Sequence, residues 1–339
     1  MDRAELNSGG APELSVVVPV YGCAECLRPL HDRLTTTLRE LGVVYELIFV
    51  DDRSPDGAWE ALERLAIDDD RVSAVRLSRN FGQQAAITAG FAAARGPWTV
   101  VMDCDLQDPP EVIPELHAKA LEGFDIVLAR RIHKQHSLFR LLAARVYFKF
   151  IGLFLGVDIS GEFGSFSIVS DQVRAEFLRV PDRDRHYLPI LFWLGFRRGE
   201  IEYEHGRRQH GKSSYSVGSL LRLAADGVFF QTTTLLRWIV YFGFAVAAAG
   251  LLLAVALIAL AVVVNPPPGW TSLAVLLLLV GGFVIVSTGV TGLYIGKIFQ
   301  QVKGRPLYVV DSRLGRLQRD EQRELATVAA NEEGGREAG

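Results

Sequence analysis

Cysteine is scarce, with three among 339 residues. Two of them stand as Cys23-Ala-Glu-Cys26, but no second Cys-x-x-Cys accompanies the pair. His133, His136, His186, His205 and His210 are scattered, and none pairs with cysteine at zinc-ligand spacing. Neither a zinc site nor a disulfide framework is expected, and the thiols read as ordinary reduced cytosolic ones. Charge of one sign is lacking too. A formal net charge of -3 implies no strongly basic face, which argues against general nucleic-acid binding. Residues 1–13 are polar and read as a flexible N-terminus, without the basic-then-apolar pattern of a secretory signal.

Two further absences are local. No charged residue occurs from position 238 to 264, and none from 273 to 295. Each stretch exceeds the roughly 20 residues that cross a bilayer core, and soluble helices rarely lack a polar face over such lengths. Between them lies Asn265-Pro-Pro-Pro-Gly-Trp270, a turn with neither Lys nor Arg. Arg222 and Arg237 precede the first stretch, and Lys297, Lys303 and Arg305 follow the second. The positive-inside rule then predicts a two-helix transmembrane hairpin over 238–295 with both chain ends cytoplasmic. Residues 215–237 read as a juxtamembrane amphipathic segment, lying along the membrane surface or packed on the soluble part. Residues 296–310 follow the membrane, and 311–339, charged and rich in small residues, are expected to be disordered.

What is present before the hairpin is alternation. Residues 14–21, 45–52, 72–78, 98–103 and 124–130 are apolar runs of strand length, and the stretches between them, such as 82–95 and 110–122, carry helical patterns. Pro109 and Pro110 open the last of these, where a missing N–H does no harm. Strand and helix in alternation predict an α/β fold, a largely parallel sheet with helices on both faces. Loops at the carboxyl ends of such strands form the ligand crevice.

Two acidic pairs fall at those ends. "LIFVDD" places Asp51 and Asp52 there, and "WTVVMDCD" places Asp103 and Asp105. Carboxylates gathered on one rim repel unless they bind something positive or enter hydrogen bonds. Magnesium or manganese prefers oxygen ligands and usually keeps a face for phosphate. Asp103 and Asp105 flank a single residue, and Gln107 adds a neutral oxygen two positions on. An ion held by the three can bridge a diphosphate and neutralise its charge as the bond to it breaks.

The stretches "SVVVPVYGCAECL", "FVDDRSPDGAWE", "LSRNFGQQAAITAGFAAARG" and "MDCDLQDPPEVIPEL" resemble the inverting family 2 glycosyltransferases that act on polyprenyl phosphates. The resemblance continues through "DRDRHYLPILFWLGFRRGEIEYEHGRRQHGKSSYS" to "KGRPLYVV", covering roughly residues 14–310. It implies a GT-A, Rossmann-like catalytic domain over 14–214, joined to the hairpin. It implies a nucleotide sugar as donor, with uridine favoured and guanosine left open as the base, and a polyprenyl (undecaprenyl) phosphate as acceptor at the membrane. The two-span anchor is also compatible with a homo-oligomer.

By position, the resemblance puts the nucleotide on Pro19, Tyr21, Asp51 and Asp52, and the metal on Asp103, Asp105 and Gln107. It gives Arg130 the donor phosphates, and Arg208, Gly211 and Ser213 a loop that closes over the diphosphate. That loop's usual Lys is Ser214 here, and Lys212 lies two residues earlier. Asp105, Arg208 and Lys212 are thereby the expected catalytic groups. Where many relatives have a "DFRL"-like strand, this chain has "GEFGSFSIVS" with Ser165 and Ser167, so no base transfers, and Asp158 and Glu162 read as structural. A base is dispensable if the nucleophile is a phosphate monoester, whose second pKa is about 6. A processive polysaccharide synthase would want Gln-x-x-Arg-Trp, but Thr234 stands at the Gln position before Arg237-Trp238. A non-catalytic membrane scaffold would fit loss of the Asp-x-Asp, which is intact.

Overall fold

The computed structural model describes residues 11–132, 163–182, 185–204, 241–242, 252 and 269–323. Contacts divide the chain into two compact units, one of residues 1–141, 159–213 and 305–339, the other of 142–158 and 214–304.

In the first unit the alternation becomes β1 (Leu14–Val20), α1 (Ala24–Leu41), β2 (Tyr45–Asp51), α2 (Ala58–Asp68), β3 (Val72–Leu77), α3 (Gln83–Ala93), β4 (Trp98–Val101), α4 (Ile113–Leu121) and β5 (Ile126–Ile132). There follow β6 (Phe163–Ser170), α5 (Asp171–Arg179), α6 (Tyr187–Leu194), β7 (Arg198–Glu204) and, late in the chain, β8 (Val310–Leu314). The eight strands form one sheet in the order β7-β5-β6-β4-β1-β2-β3-β8. β4, β1, β2 and β3 run parallel, as do β5 and β7, whereas β6 lies antiparallel between β4 and β5 and β8 lies antiparallel on β3.

β1 and β2 are buried along their whole length, the pattern of strands covered on both faces. One face packs under α1, α2 and α4 through Leu27, Leu30, Leu34, Trp59, Leu62 and Leu116. The other packs under α3, α5 and α6 through Ile87, Phe91, Val173, Phe177, Tyr187 and Leu191. On α1 the buried leucines at 27, 30, 34 and 38 recur every three or four residues, which is one face of a helix. The fold is the α/β, largely parallel sheet that the alternation predicts.

The C-terminal segment differs from expectation. Residues 311–323 are not a structureless tail: β8 pairs with the outer edge of β3, and helical residues follow as far as Arg323. An uncovered strand edge offers unpaired N–H and C=O groups, and β8 satisfies them.

Of the second unit, the structure describes chiefly α7 (Trp270–Val302), a continuous helix of 33 residues. The first apolar stretch of the expected hairpin lies almost wholly outside the described residues, and so do several side chains of α7. Counted over the described residues alone, no helix is long and apolar enough to cross a membrane.

Candidate functional site

The carboxyl ends of β1, β2 and β4 share one rim of the sheet. Pro19 is buried in the last turn of β1, level with Val50 of β2, and Tyr21 projects just beyond it, 54% exposed. β4 ends at Val101, and the Met102 N–H is still bound to the Val17 carbonyl at 3.2 Å. The chain then leaves the sheet with its burial alternating. Cys104, Leu106 and Asp108 turn inward, while Asp103, Asp105 and Gln107 stay half-buried. Leu106 adopts a left-handed backbone, φ 63°, an uncommon and costly state for a branched residue. It lets Gln107 fold back on Asp105, whose Oδ1 accepts the Gln107 N–H at 3.1 Å. The three expected metal ligands are thus on one loop with a common outward side.

Asp103 is the most constrained of them. Its Oδ1 accepts from Gln83 Nε2 at 2.7 Å, at the start of α3, and from Ser165 Oγ at 2.8 Å, on β6. An Arg131 guanidinium nitrogen stands 4.0 Å from Oδ2 and 3.5 Å from Asp108 Oδ1. Burial, and then the nearby Asp108 carboxylate, push the Asp103 carboxyl up to about 6 from its ordinary value of 3.8. A rim short of positive charge is one that a cation would stabilise. Among the described residues no three His, Cys, Asp or Glu side chains form a metal-holding group. The donor set is two carboxylates and an amide, leaving other positions to water and phosphate oxygens, which suits magnesium or manganese.

Behind the loop lies a charged network that sequence reasoning did not find. Asp108 is fully buried and accepts the Tyr203 hydroxyl proton, and Arg131 Nε donates to the same hydroxyl oxygen at 3.0 Å. Burial would lower the Arg131 guanidinium, but Asp108, Tyr203 and Asp103 hold it above its usual range. A Cβ on Gly164 would lie 2.5 Å from the Arg131 guanidinium, so glycine makes the room. Arg130, the expected phosphate contact, pairs with Glu202 on β7. The register puts Arg130 opposite Glu202 and Arg131 opposite Tyr203, so of the two adjacent arginines the second faces the Asp-x-Asp loop. The Arg130-Arg131 doublet was the available signal, but its phase was not.

The other acidic pair is inward-looking. Asp51 and Asp52 are both buried. Asp52 accepts the N–H groups of Phe81 at 2.7 Å and Gly82 at 2.8 Å, tying down the loop before α3, and burial raises its pKa. Asp51 Oδ1 accepts the Ser54 N–H at 2.8 Å. Its Oδ2 stands 3.3 Å from Arg76 Nε, yet both atoms are buried without a hydrogen-bond partner.

The three cysteines are free and buried, with Cys23 Sγ donating to the Cys104 carbonyl at 3.4 Å. Hydrogen bonding with Cys104 and burial raise the Cys23 thiol, and burial pushes Cys26 up to about 12, so neither is a nucleophile near neutral pH. Ser167 bonds the Tyr187 hydroxyl at 2.9 Å within the core. Asp158, Glu162, Arg208, Gly211, Lys212, Ser213 and Ser214 lie outside the described residues.

A parallel α/β sheet with an Asp-x-Asp-x-Gln loop on its carboxyl rim defines a class of nucleotide-sugar transferase, and comparison narrows it. The family model for glycosyl transferase family 2 matches residues 15–177. The chain is 34% identical to the uncharacterized glycosyltransferase YkcC of Bacillus subtilis (strain 168), over 91% of this chain and 98% of that one. It is 37% identical to the undecaprenyl-phosphate 4-deoxy-4-formamido-L-arabinose transferase of Proteus mirabilis (strain HI4320), over 89% and 94% respectively. Among solved structures it is similar to the mannosyltransferase PcManGT of Pyrobaculum calidifontis in complex with GDP-Man and Mn2+, at 17% identity and a TM-score of 0.47, over 88% and 89%. The chain belongs to the family 2 glycosyltransferases.

Proposed function

We propose that this glycosyltransferase moves a single sugar from a nucleotide-sugar donor onto a polyprenyl phosphate at the cytoplasmic face of the cell membrane, inverting the anomeric centre. One observation carries the reading: an intact Asp-x-Asp-x-Gln loop on the rim of a chain that aligns over 94% of an undecaprenyl-phosphate sugar transferase. Asp103, Asp105 and Gln107 would hold magnesium or manganese, which when bound neutralises the diphosphate as it departs. Pro19 and Tyr21 flank the place for the nucleotide, a uridine or guanosine diphosphate. Asp51 and Asp52, both buried, hold the loops that border it through the N–H groups of Ser54, Phe81 and Gly82.

The acceptor phosphate is largely dianionic near neutral pH and needs no base. One of its oxygens forms the new bond to the anomeric carbon as the carbon–oxygen bond to the diphosphate breaks on the opposite side. The products are a nucleoside diphosphate and a sugar phosphodiester on the lipid. Arg131, beside Asp103, gives the rim a fixed cation for the charge that builds on phosphate.

The anchor is part of the same proposal. It is supported by the uncharged runs 238–264 and 273–295 and their basic flanks. Leu273, Leu277, Val284, Ile295, Ile298 and Phe299 of α7 are exposed, and lipid is the solvent that covers such a helix.

The test is to incubate membranes containing the protein with undecaprenyl phosphate, a panel of labelled UDP and GDP sugars, and Mn2+ or Mg2+. An organic-extractable, acid-labile product carrying one sugar is expected, with anomeric configuration opposite to the donor's. Asp105→Asn is expected to abolish it while leaving membrane insertion intact. A polymer, or sugar on a soluble acceptor without a lipid intermediate, would overturn the reading.

A further inference from the structure

β8 follows the last apolar helix in the chain, yet its start reaches the carboxyl end of β3, on the rim that carries Asp51 and Tyr21. Val310 pairs with Leu77 and Ser312 with Arg76, with an irregularity between Arg76 and Leu77, and the Ser78 N–H donates to the Val309 carbonyl at 2.9 Å.

One contact links this strand to the β2–α2 loop, and a second links its pairing partner β3 to the end of β2. Arg53 Nη1 donates to Asp311 Oδ2 at 2.9 Å. Arg76, level with Ser312, places its Nε 3.3 Å from the buried Asp51 oxygen that lacks a hydrogen bond, with its guanidinium 5.4 Å from the Trp59 ring centre. Arg53 itself has φ 60°, a left-handed state that costs a residue with a Cβ and persists only when its surroundings impose it. It sits between Asp52 and Ser54, whose neighbours make the crevice. Ser54 donates its N–H to Asp51 at 2.8 Å, and its hydroxyl accepts the Gly22 N–H at 3.3 Å, next to Tyr21. The loops after β1 and β2 are therefore cross-tied around the residue that Asp311 holds.

We propose that Asp311 is a positioning residue for the donor nucleotide, acting through Arg53: the strand that follows the membrane segment sets the loop that carries Asp51. This rests on the reading above, that the donor binds at the β1–β2 rim. Asp311 touches no substrate. Its effect is to pre-organise the loop, and its loss makes the nucleotide supply that ordering on binding. The ion pair is about half exposed (45% and 43%), so the effect is moderate.

The full chain in membranes or detergent is compared as wild type, Asp311→Asn, and the exchange Arg53→Asp with Asp311→Arg. The donor KM of Asp311→Asn is expected to rise about two- to fivefold, with kcat, acceptor KM and unfolding temperature unchanged. The exchange should restore it, since the charge pair is remade with its sign reversed. UDP and GDP binding by calorimetry, which needs no acceptor, is expected to weaken by the same factor. If wild type binds nucleotide and Asp311→Asn binds it equally, the inference falls and the transferase reading stands. A variant that loses stability and kcat together, without rescue by the exchange, makes Asp311 a structural residue only and also overturns it. If wild type binds neither nucleotide, the functional reading fails and the inference falls with it.

Discussion

Asp103 has one oxygen occupied by Gln83 and Ser165 and an arginine near the other. Its carboxyl is raised from 3.8 to about 6, so between those values the folded protein keeps a proton that the unfolded chain has released. Stability therefore falls as pH rises through that window, and the deficit persists above about pH 6. A divalent cation on the loop offsets it. Mn2+ is accordingly expected to raise the unfolding temperature most above about pH 6, and less below it as protons compete for the carboxylate. Ser165→Ala removes a hydrogen bond that orients the ligand and favours its ionised form. It is expected to weaken Mn2+ binding about tenfold, the usual scale for a lost outer partner. Calorimetry on both forms checks this, and equal affinities would mean that the serine does not act on the ligand.

At the scale of elements, the sheet and α3 meet so closely that a hydrogen atom is all that fits. A Cβ on Gly90 would lie 2.2 Å from Val17 Cγ1, in the fully buried centre of β1. Alanine there gains about 1 kcal/mol of helix propensity but overpacks a core that cannot yield, at about 1–3 kcal/mol. Gly90→Ala is expected to lose up to about 2 kcal/mol in denaturant unfolding, with Mn2+ affinity unchanged if the rim is not displaced. The helical pattern of residues 82–95 was legible in the sequence, but the need for glycine at 90 was not. It arises from how near α3 lies to a strand 73 positions earlier in the chain.

For the folded unit as a whole, the C-terminal segment closes the sheet. Glu46, almost fully buried at the other end of β2 from Asp51, accepts from Ser15 Oγ at 2.7 Å and from the Arg95 N–H at 2.8 Å. Arg316, just past β8, stands 3.2 Å from its second oxygen. Arg316→Ala leaves a buried carboxylate with less compensation, a cost of about 1–3 kcal/mol. The variant is expected to unfold at lower denaturant concentration, whereas Arg319→Ala, whose pair with Asp70 is exposed, is expected to change little. Equal stability of the two variants would mean that the Glu46 contact does not hold the segment.

The sequence by itself determined the alternation of β1 to β5 with their helices, and the rim position of Asp51, Asp52, Asp103 and Asp105. Apolar runs and helical periods are local properties, and a parallel sheet puts all its strand ends on one side. Which side chains on that rim face one another was left to the tertiary structure. Adjacent residues on a strand point to opposite faces, so which of Arg130 and Arg131 lies beside Asp103 depended on the pairing of β5 with β7. Burial of Asp51 and Asp52 depended on the loops packed over them. β8 is five residues long and mostly polar, with no strand signal of its own; it is a strand because the open edge of β3 supplies its hydrogen bonds.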